Sequence, residues 1–437
     1  MRGGLRGAAP AGLDLLGLLA WPTRPLMRTC RVPADLEAVT ALAPEVAAED
    51  VGADPTAVES VWDAVRSLYR TGLYPAIQLC VRRDGATVLH RAIGHASGNA
   101  PDDDPEGPRV AVTPETPFVI YSASKAITAM VIHKLDEERV LHLDDRICDY
   151  VPEFGGYSKE WITIRHVLGH RAGIPNLPPE AMDLDLLTDP SRVVQLLCDA
   201  KPVSRPGRRL AYHAISGGFV LGEVVRRATG DDIRTVMRDQ IQRPLGFRWM
   251  NFGVAPEDVP RVAIDAFTGL PVPPPFSLLL RRALGKDLPE VVRLANDPRF
   301  RTGIVPSGNV VTTADELCAF YQCLLDGGEL GGVRVFEPRT VRHATSEQTY
   351  WELDLTLGLP LRYGLGFMLG GETLSLFGPD SPHAFGHLGF TNVFSWADPE
   401  RRLAVAFLTS GKPFFSVESL WLLRFLWRVA RAFPRLA

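Results

Sequence analysis

The stretch TPFVIYSASKAITAMVIH, residues 116–133, decides the fold. A short extended run feeds a mostly apolar helix, and Ser122 and Lys125 stand three residues apart at its start, on one side of the first turn. Ser124 points elsewhere. A serine at a helix N-terminus has the positive end of the macrodipole near any oxyanion that develops beside it. Lys125 is followed by Ala126, Ile127, Ala129, Met130, Val131 and Ile132. A lysine among such neighbours is desolvated, which lowers its pKa toward the neutral amine that can take a serine proton. A solvated helix lysine suits that setting less well.

Around this segment the composition is that of a globular chain. At 437 residues, 46% hydrophobic and 22% charged, it can bury a large core without disulfides or a metal. Lys and Arg total 47 against 51 Asp and Glu, a net charge of −4. That balance offers no basic field for nucleic acid, and no nucleic-acid partner is expected. Only six of the 47 cations are lysines, which makes each lysine more informative. Cys30, Cys80, Cys148, Cys198, Cys318 and Cys323 are scattered, with no C-x-x-C pair, and are read as free thiols. His166 and His170 are four apart but lack the H-E-x-x-H pattern, so neither a metal nor a cofactor is expected. His166, His170, His213 and His383 receive no role.

Residues 1–52 read as a loosely structured leader and residues 53–437 as a single domain. Arg2 and Arg6 precede an apolar stretch, Ala8 to Ala20, that Asp14 interrupts and no A-x-A site closes. Export is therefore the lesser reading and a cytoplasmic location the expectation. From Pro55 to about Tyr69 the positions Val58, Val61, Trp62, Val65 and Leu68 form one helical face. PAIQLCV and TVLHRAIG then read as a hairpin turned at Asp84-Gly85, and Val393–Ala397 with Leu403–Thr409 as a second. Residues 122–350 between them read mainly as helices and loops. Strands at both ends and helices in the middle imply an α/β (α+β) fold: an antiparallel sheet made by N- and C-terminal strands, flanked by terminal helices, with a large helical region inserted. A cleft is expected where the two regions meet. Ser416 to Phe433 reads as a helix covering the sheet, with peripheral contact to a membrane surface through Arg424, Arg428 and Arg431 as the alternative. The apolar insertion from Pro271 to about Leu288 is expected either as a wall or lid near the cleft or as a surface loop.

With these segments in view, the chain resembles the class C β-lactamase-like superfamily, including the family VIII carboxylesterases. The S-x-x-K of residues 122–125 is the motif of β-lactamases and penicillin-binding proteins. ITIRHVLGHRAGIP (162–175), RLAYHAISGGFVLGEVVRRATG (209–230), PSGNVVTTADELCAFYQCLLDGGELGG (306–332), YGLGF (363–367) and FGHLGFTNVFSWADPERRLAVAFLTS (385–410) are similar to later family segments, in the family's order. The resemblance implies a β-lactamase/transpeptidase-like fold and an acyl-enzyme on Ser122. Lys125 and Tyr212 would be its proton-transfer partners. It places Tyr212, His213 and Ala214 at the family's Y-x-N position, and His387, Leu388 and Gly389 at its K-T-G position. His387 would then offer a positive or donor edge to substrate. The N–H groups of Ser122 and Phe390 would form the oxyanion hole, with Gly389 giving the substrate close backbone approach.

Alanine at 214 cannot offer the side-chain amide that holds a lactam or peptide, so the expected reaction is carboxylesterase or lipase chemistry on small to medium acyl esters. A β-lactamase or D-amino-acid peptidase of the same fold is the alternative, and from another class, an inactive binding or scaffold protein. An α/β-hydrolase is excluded because no serine stands in G-x-S-x-G.

Overall fold

The computed structural model describes residues 27–177, 183–373, 375–390, 392–414 and 420–436. Its large antiparallel sheet runs β1 (Thr40–Leu42), β3 (Ala86–Ser97), β2 (Ala76–Arg83), β15 (Leu403–Thr409), β14 (Val393–Asp398), β13 (Phe385–Gly389), β12 (Met368–Leu369), β11 (Leu359–Tyr363) and β10 (Thr349–Asp354). The short β4 (Val110–Ala111) pairs with β3. A small sheet holds β5 (Phe118–Val119), β7 (Val310–Thr312) and β6 (Asn251–Phe252), and β8 (Glu329–Leu330) pairs with β9 (Val333–Arg334). The N- and C-terminal strands thus meet at the centre, β2 against β15, as the sequence implied.

Local chemistry explains the elements. Helix α1 (Pro55–Arg70) begins where the Asp54 carboxylate accepts the N–H of Thr56 at 2.9 Å, with Pro55 in the first helical position. The β2–β3 hairpin turns on Asp84 and Gly85, at φ 52° and 81°. Two successive positive φ values are what a two-residue type I′ turn requires.

Both faces of β15 are buried, and its alternating side chains serve two cores. Leu403, Val405 and Phe407 meet α1 and the terminal helix α6 (Leu420–Ala432), where Phe407 and Phe425 stack at 4.7 Å. Ala404, Ala406 and Leu408 face the inserted helices, and the small residues let α5 (Ala314–Leu325) approach until the Cys318 thiol reaches the Ala404 carbonyl at 3.3 Å. Helix α2 (Ser124–Glu137), α3 (Ser216–Thr229) and α4 (Phe276–Leu284) belong to the inserted region.

One expectation is corrected. Residues 28–52 are not loose: β1 pairs with β3, Thr40 opposite Ile93, and the Glu45 carboxylate takes Nε and a terminal nitrogen of Arg91, each at 2.8 Å. An open outer edge on β3 would expose unpaired backbone, and β1 covers it. Residues 1–26, and 415–419 at the start of the expected C-terminal helix, lie outside the described residues. α6 covers the sheet through Leu422, Phe425, Leu426 and Val429. Among the described residues no helix is long and apolar enough to cross a membrane, and no cluster of three or more metal-type side chains is found.

Candidate active site

β5 ends in a single 3-10 turn, Tyr121–Ala123, which runs directly into α2. Ser122 therefore sits half-buried at the mouth of a helix whose first N–H groups have no intrahelical acceptor. Tyr121 before it has φ 49°, an uncommon conformation for a bulky residue. Ser124, one step on, is fully buried and accepts the N–H of Val310 at 3.0 Å, a structural task.

Lys125 is buried, and its Nζ lies 3.3 Å from Ser122 Oγ, 2.7 Å from the Ala214 carbonyl and 3.1 Å from the Ser307 carbonyl. Burial with no acid beside it brings its pKa down to about 7. A neutral amine has two N–H donors and one lone pair. Carbonyls can only accept, so Ala214 and Ser307 take the donors, and the lone pair is left for the Ser122 hydroxyl.

Tyr212 closes the other side. Its hydroxyl faces that of Ser122, and its ring lies 4.8 Å from Lys125 Nζ. Burial holds the phenol well above its ordinary pKa, so it stays a proton donor. Its backbone N–H donates to the fully buried Asp354 carboxylate at 3.1 Å.

His387 is on β13, buried, with ring centroid 6.3 Å from that of Tyr212. Burial, and then the charge of Lys125, bring its pKa down to about 3. Its Nδ1 is 2.7 Å from the Leu388 carbonyl, and so must carry the proton. The expected positive or donor edge is corrected: in the neutral tautomer Nε2 is a bare acceptor. Gly389 also meets a packing need. A Cβ there would stand 2.1 Å from the Ile120 carbonyl, so glycine is needed where β13 crosses the start of the Tyr121–Ala123 turn. Phe390 follows at φ 47°, and its ring stacks on that of Tyr121, the neighbour of Ser122, at 5.1 Å. Beneath this stack Lys412, fully buried, pairs with Asp265 at 3.3 Å and lies 4.8 Å from the Tyr121 ring.

The structure thus brings Ser122, Lys125, Tyr212, His387, Gly389 and Phe390 together. It adds residues that sequence reasoning missed. The Ala214 and Ser307 acceptors are main-chain atoms, invisible in residue identity. Asp354 carried a signal, an acid with a leucine on either side. His170 packs on Tyr212 at 4.7 Å and its Nδ1 accepts the N–H of His213 at 3.2 Å. With Lys125 these two histidines line a small cavity of about 30 Å³, large enough to admit water. His166 caps a short helix from Thr163, and His383 is exposed near Glu400. The 271–288 insertion contains α4, whose Phe276 ring packs on Phe414 at 5.6 Å.

Comparison with known proteins agrees with the fold. The family described as beta-lactamase matches residues 63–426. The esterase/beta-lactamase LipL of Mycobacterium tuberculosis is 29% identical over 299 residues, covering 66% of this chain and 68% of that protein. A solved family VIII carboxylesterase superposes with TM-score 0.71 at 25% identity, covering 86% of this chain and 97% of its own. A penicillin-binding protein homologue from Caulobacter crescentus gives 0.73 at 24%, covering 87% and 99%.

Proposed function

Because the chain belongs to the beta-lactamase family, we propose that it is a carboxylesterase that forms an acyl-enzyme on Ser122 from small to medium acyl esters. The observation that carries this is the valence of Lys125. Both donors of its neutral amine are occupied by carbonyls, and its lone pair has only the Ser122 hydroxyl to meet.

In the reaction Ser122 Oγ bonds to the ester carbonyl carbon while its proton passes to Lys125. The carbonyl oxygen becomes an oxyanion, held by the N–H groups of Ser122 and Phe390. As the carbon–oxygen bond to the alcohol breaks, Tyr212 protonates the leaving oxygen and is reprotonated by the ammonium of Lys125. Water then repeats the sequence in reverse, releasing the acid. His387 Nε2 accepts a hydrogen bond at the cleft wall.

The choice of ester over lactam follows from residue 214. Its main-chain carbonyl holds Lys125, but its methyl group cannot orient a substrate amide for protonation at nitrogen. A panel of p-nitrophenyl esters, nitrocefin and a D-Ala-D-Ala peptide tests the assignment. Esters should turn over, with kcat/KM for nitrocefin lower by about 10²-fold, the scale of one lost catalytic contact. Efficient nitrocefin hydrolysis with esters untouched would overturn it. A fluorophosphonate probe that failed to label Ser122 would favour an inactive scaffold.

A further inference from the structure

Tyr212 stands on a loop, outside any helix or strand, so its phenol is only as well placed as the main chain beneath it. Three successive N–H groups there, those of Ala211, Tyr212 and His213, are held by distant parts of the chain. Asp354 accepts that of Tyr212 at 3.1 Å. The other two go to His170: its main-chain carbonyl accepts the N–H of Ala211 at 3.0 Å, and its ring Nδ1 accepts that of His213 at 3.2 Å. The His170 ring also packs on the Tyr212 ring at 4.7 Å and meets Tyr363 edge-on at 5.1 Å. Tyr363 in turn donates its hydroxyl to Asp354 at 3.2 Å, which ties the two holders together.

Residue type at 170 is narrowly set. The position follows the short helix Ile164–Leu168 and has φ 57°, in the left-handed region where, glycine apart, histidine, asparagine and aspartate are enriched. All three carry an acceptor bonded to the γ carbon. An aspartate would set a carboxylate beside Lys125, since residues 125, 170 and 213 line one cavity. Asparagine would leave Tyr212 no ring to rest on. Histidine meets every demand, provided that its ring is neutral. A main-chain N–H can only donate, so Nδ1 bears the lone pair and Nε2 the proton. Burial first, then the charges of His213, Lys125 and His387, hold its pKa well below the ordinary histidine value.

We infer that His170 is the positioning residue for Tyr212: through one carbonyl, one ring nitrogen and one ring face it holds the phenol toward Ser122, and it acts through that tyrosine alone. This rests on the esterase reading, in which Tyr212 protonates the leaving oxygen.

The test compares two esters of one acid, using the full chain. Ethyl butanoate expels an alkoxide that needs the proton of Tyr212, whereas p-nitrophenyl butanoate expels a stable phenolate that does not. His170→Gly keeps the left-handed backbone and its carbonyl but removes the ring and its acceptor. It should lower kcat/KM for ethyl butanoate by about tenfold or more, and for p-nitrophenyl butanoate by less than about threefold. His170→Asn tolerates the same φ and carries Oδ1 where Nδ1 stood, so it should recover most of the loss. In a Tyr212→Phe background the glycine substitution should cost nothing further on ethyl butanoate, because the group it positions is gone. Thermal unfolding and fluorophosphonate labelling of Ser122 show that each variant folds. Should glycine prevent folding, His170→Asn takes its place in the cycle, and its smaller loss should vanish there too. Equal losses on the two esters, an undiminished loss in the Tyr212→Phe background, a folded His170→Asn no better than glycine, or wild-type rates in the variant that carries the cycle would each overturn the assignment. A wild type that neither hydrolyses esters nor takes the label would instead refute the esterase reading itself.

Discussion

Replacing Lys125 by methionine separates the charge of that residue from its packing. Burial lowers the amine from 10.5 to about 7. Between those two values the unfolded chain holds a proton that the folded protein does not, so folding stability rises with pH across that window. Below about pH 7 both states are protonated, and the folded state carries the desolvation penalty of a buried ammonium. Raising the pH from about 7 to about 8.5 should therefore add roughly 2 kcal/mol to the stability of the wild type through this one group. Methionine removes that slope. It also leaves the Ala214 and Ser307 carbonyls without their donor, a loss of about 1–3 kcal/mol each that does not vary with pH. Urea unfolding of both proteins at several pH values reads the difference, in which every other titrating group cancels. Stability curves for wild type and Lys125→Met that stay parallel from pH 7 to about 9 would refute the neutral-amine assignment, and with it the base.

The same titration should appear in turnover, with kcat/KM for an ester rising as the pH climbs through about 7, since only neutral Lys125 can accept the serine proton. Ser122→Ala should abolish turnover and covalent labelling. Ser124→Ala should keep the label but lose about 1–3 kcal/mol in urea unfolding, because the buried N–H of Val310 is orphaned. Tyr212→Phe should slow acylation by about 10²-fold with unchanged thermal stability, measured by stopped-flow burst kinetics. Lys412→Met, which leaves Asp265 buried without its cation, should destabilise the protein by about 3–5 kcal/mol in urea unfolding.

What the sequence determined by itself was local in origin. The Asp54-Pro55 helix start, the Asp84-Gly85 turn and the alternation along β15 each follow from a few neighbouring residues, whose conformations are set by their own sterics and hydrogen bonds. The three-residue spacing of Ser122 and Lys125 belongs to the same class, and the ordered segments that follow it made the family legible. Tertiary structure decided the electrostatics. The Ser307 carbonyl stands 182 residues from Lys125, and Asp354 stands 142 from Tyr212. The bonds they make use main-chain atoms that any residue possesses, so residue type could not announce them. His387 is a bare acceptor because its strand is buried and its Nδ1 is engaged by Leu388. Residue type allows either charge state and either tautomer, and only the low-dielectric surroundings assembled by folding select one.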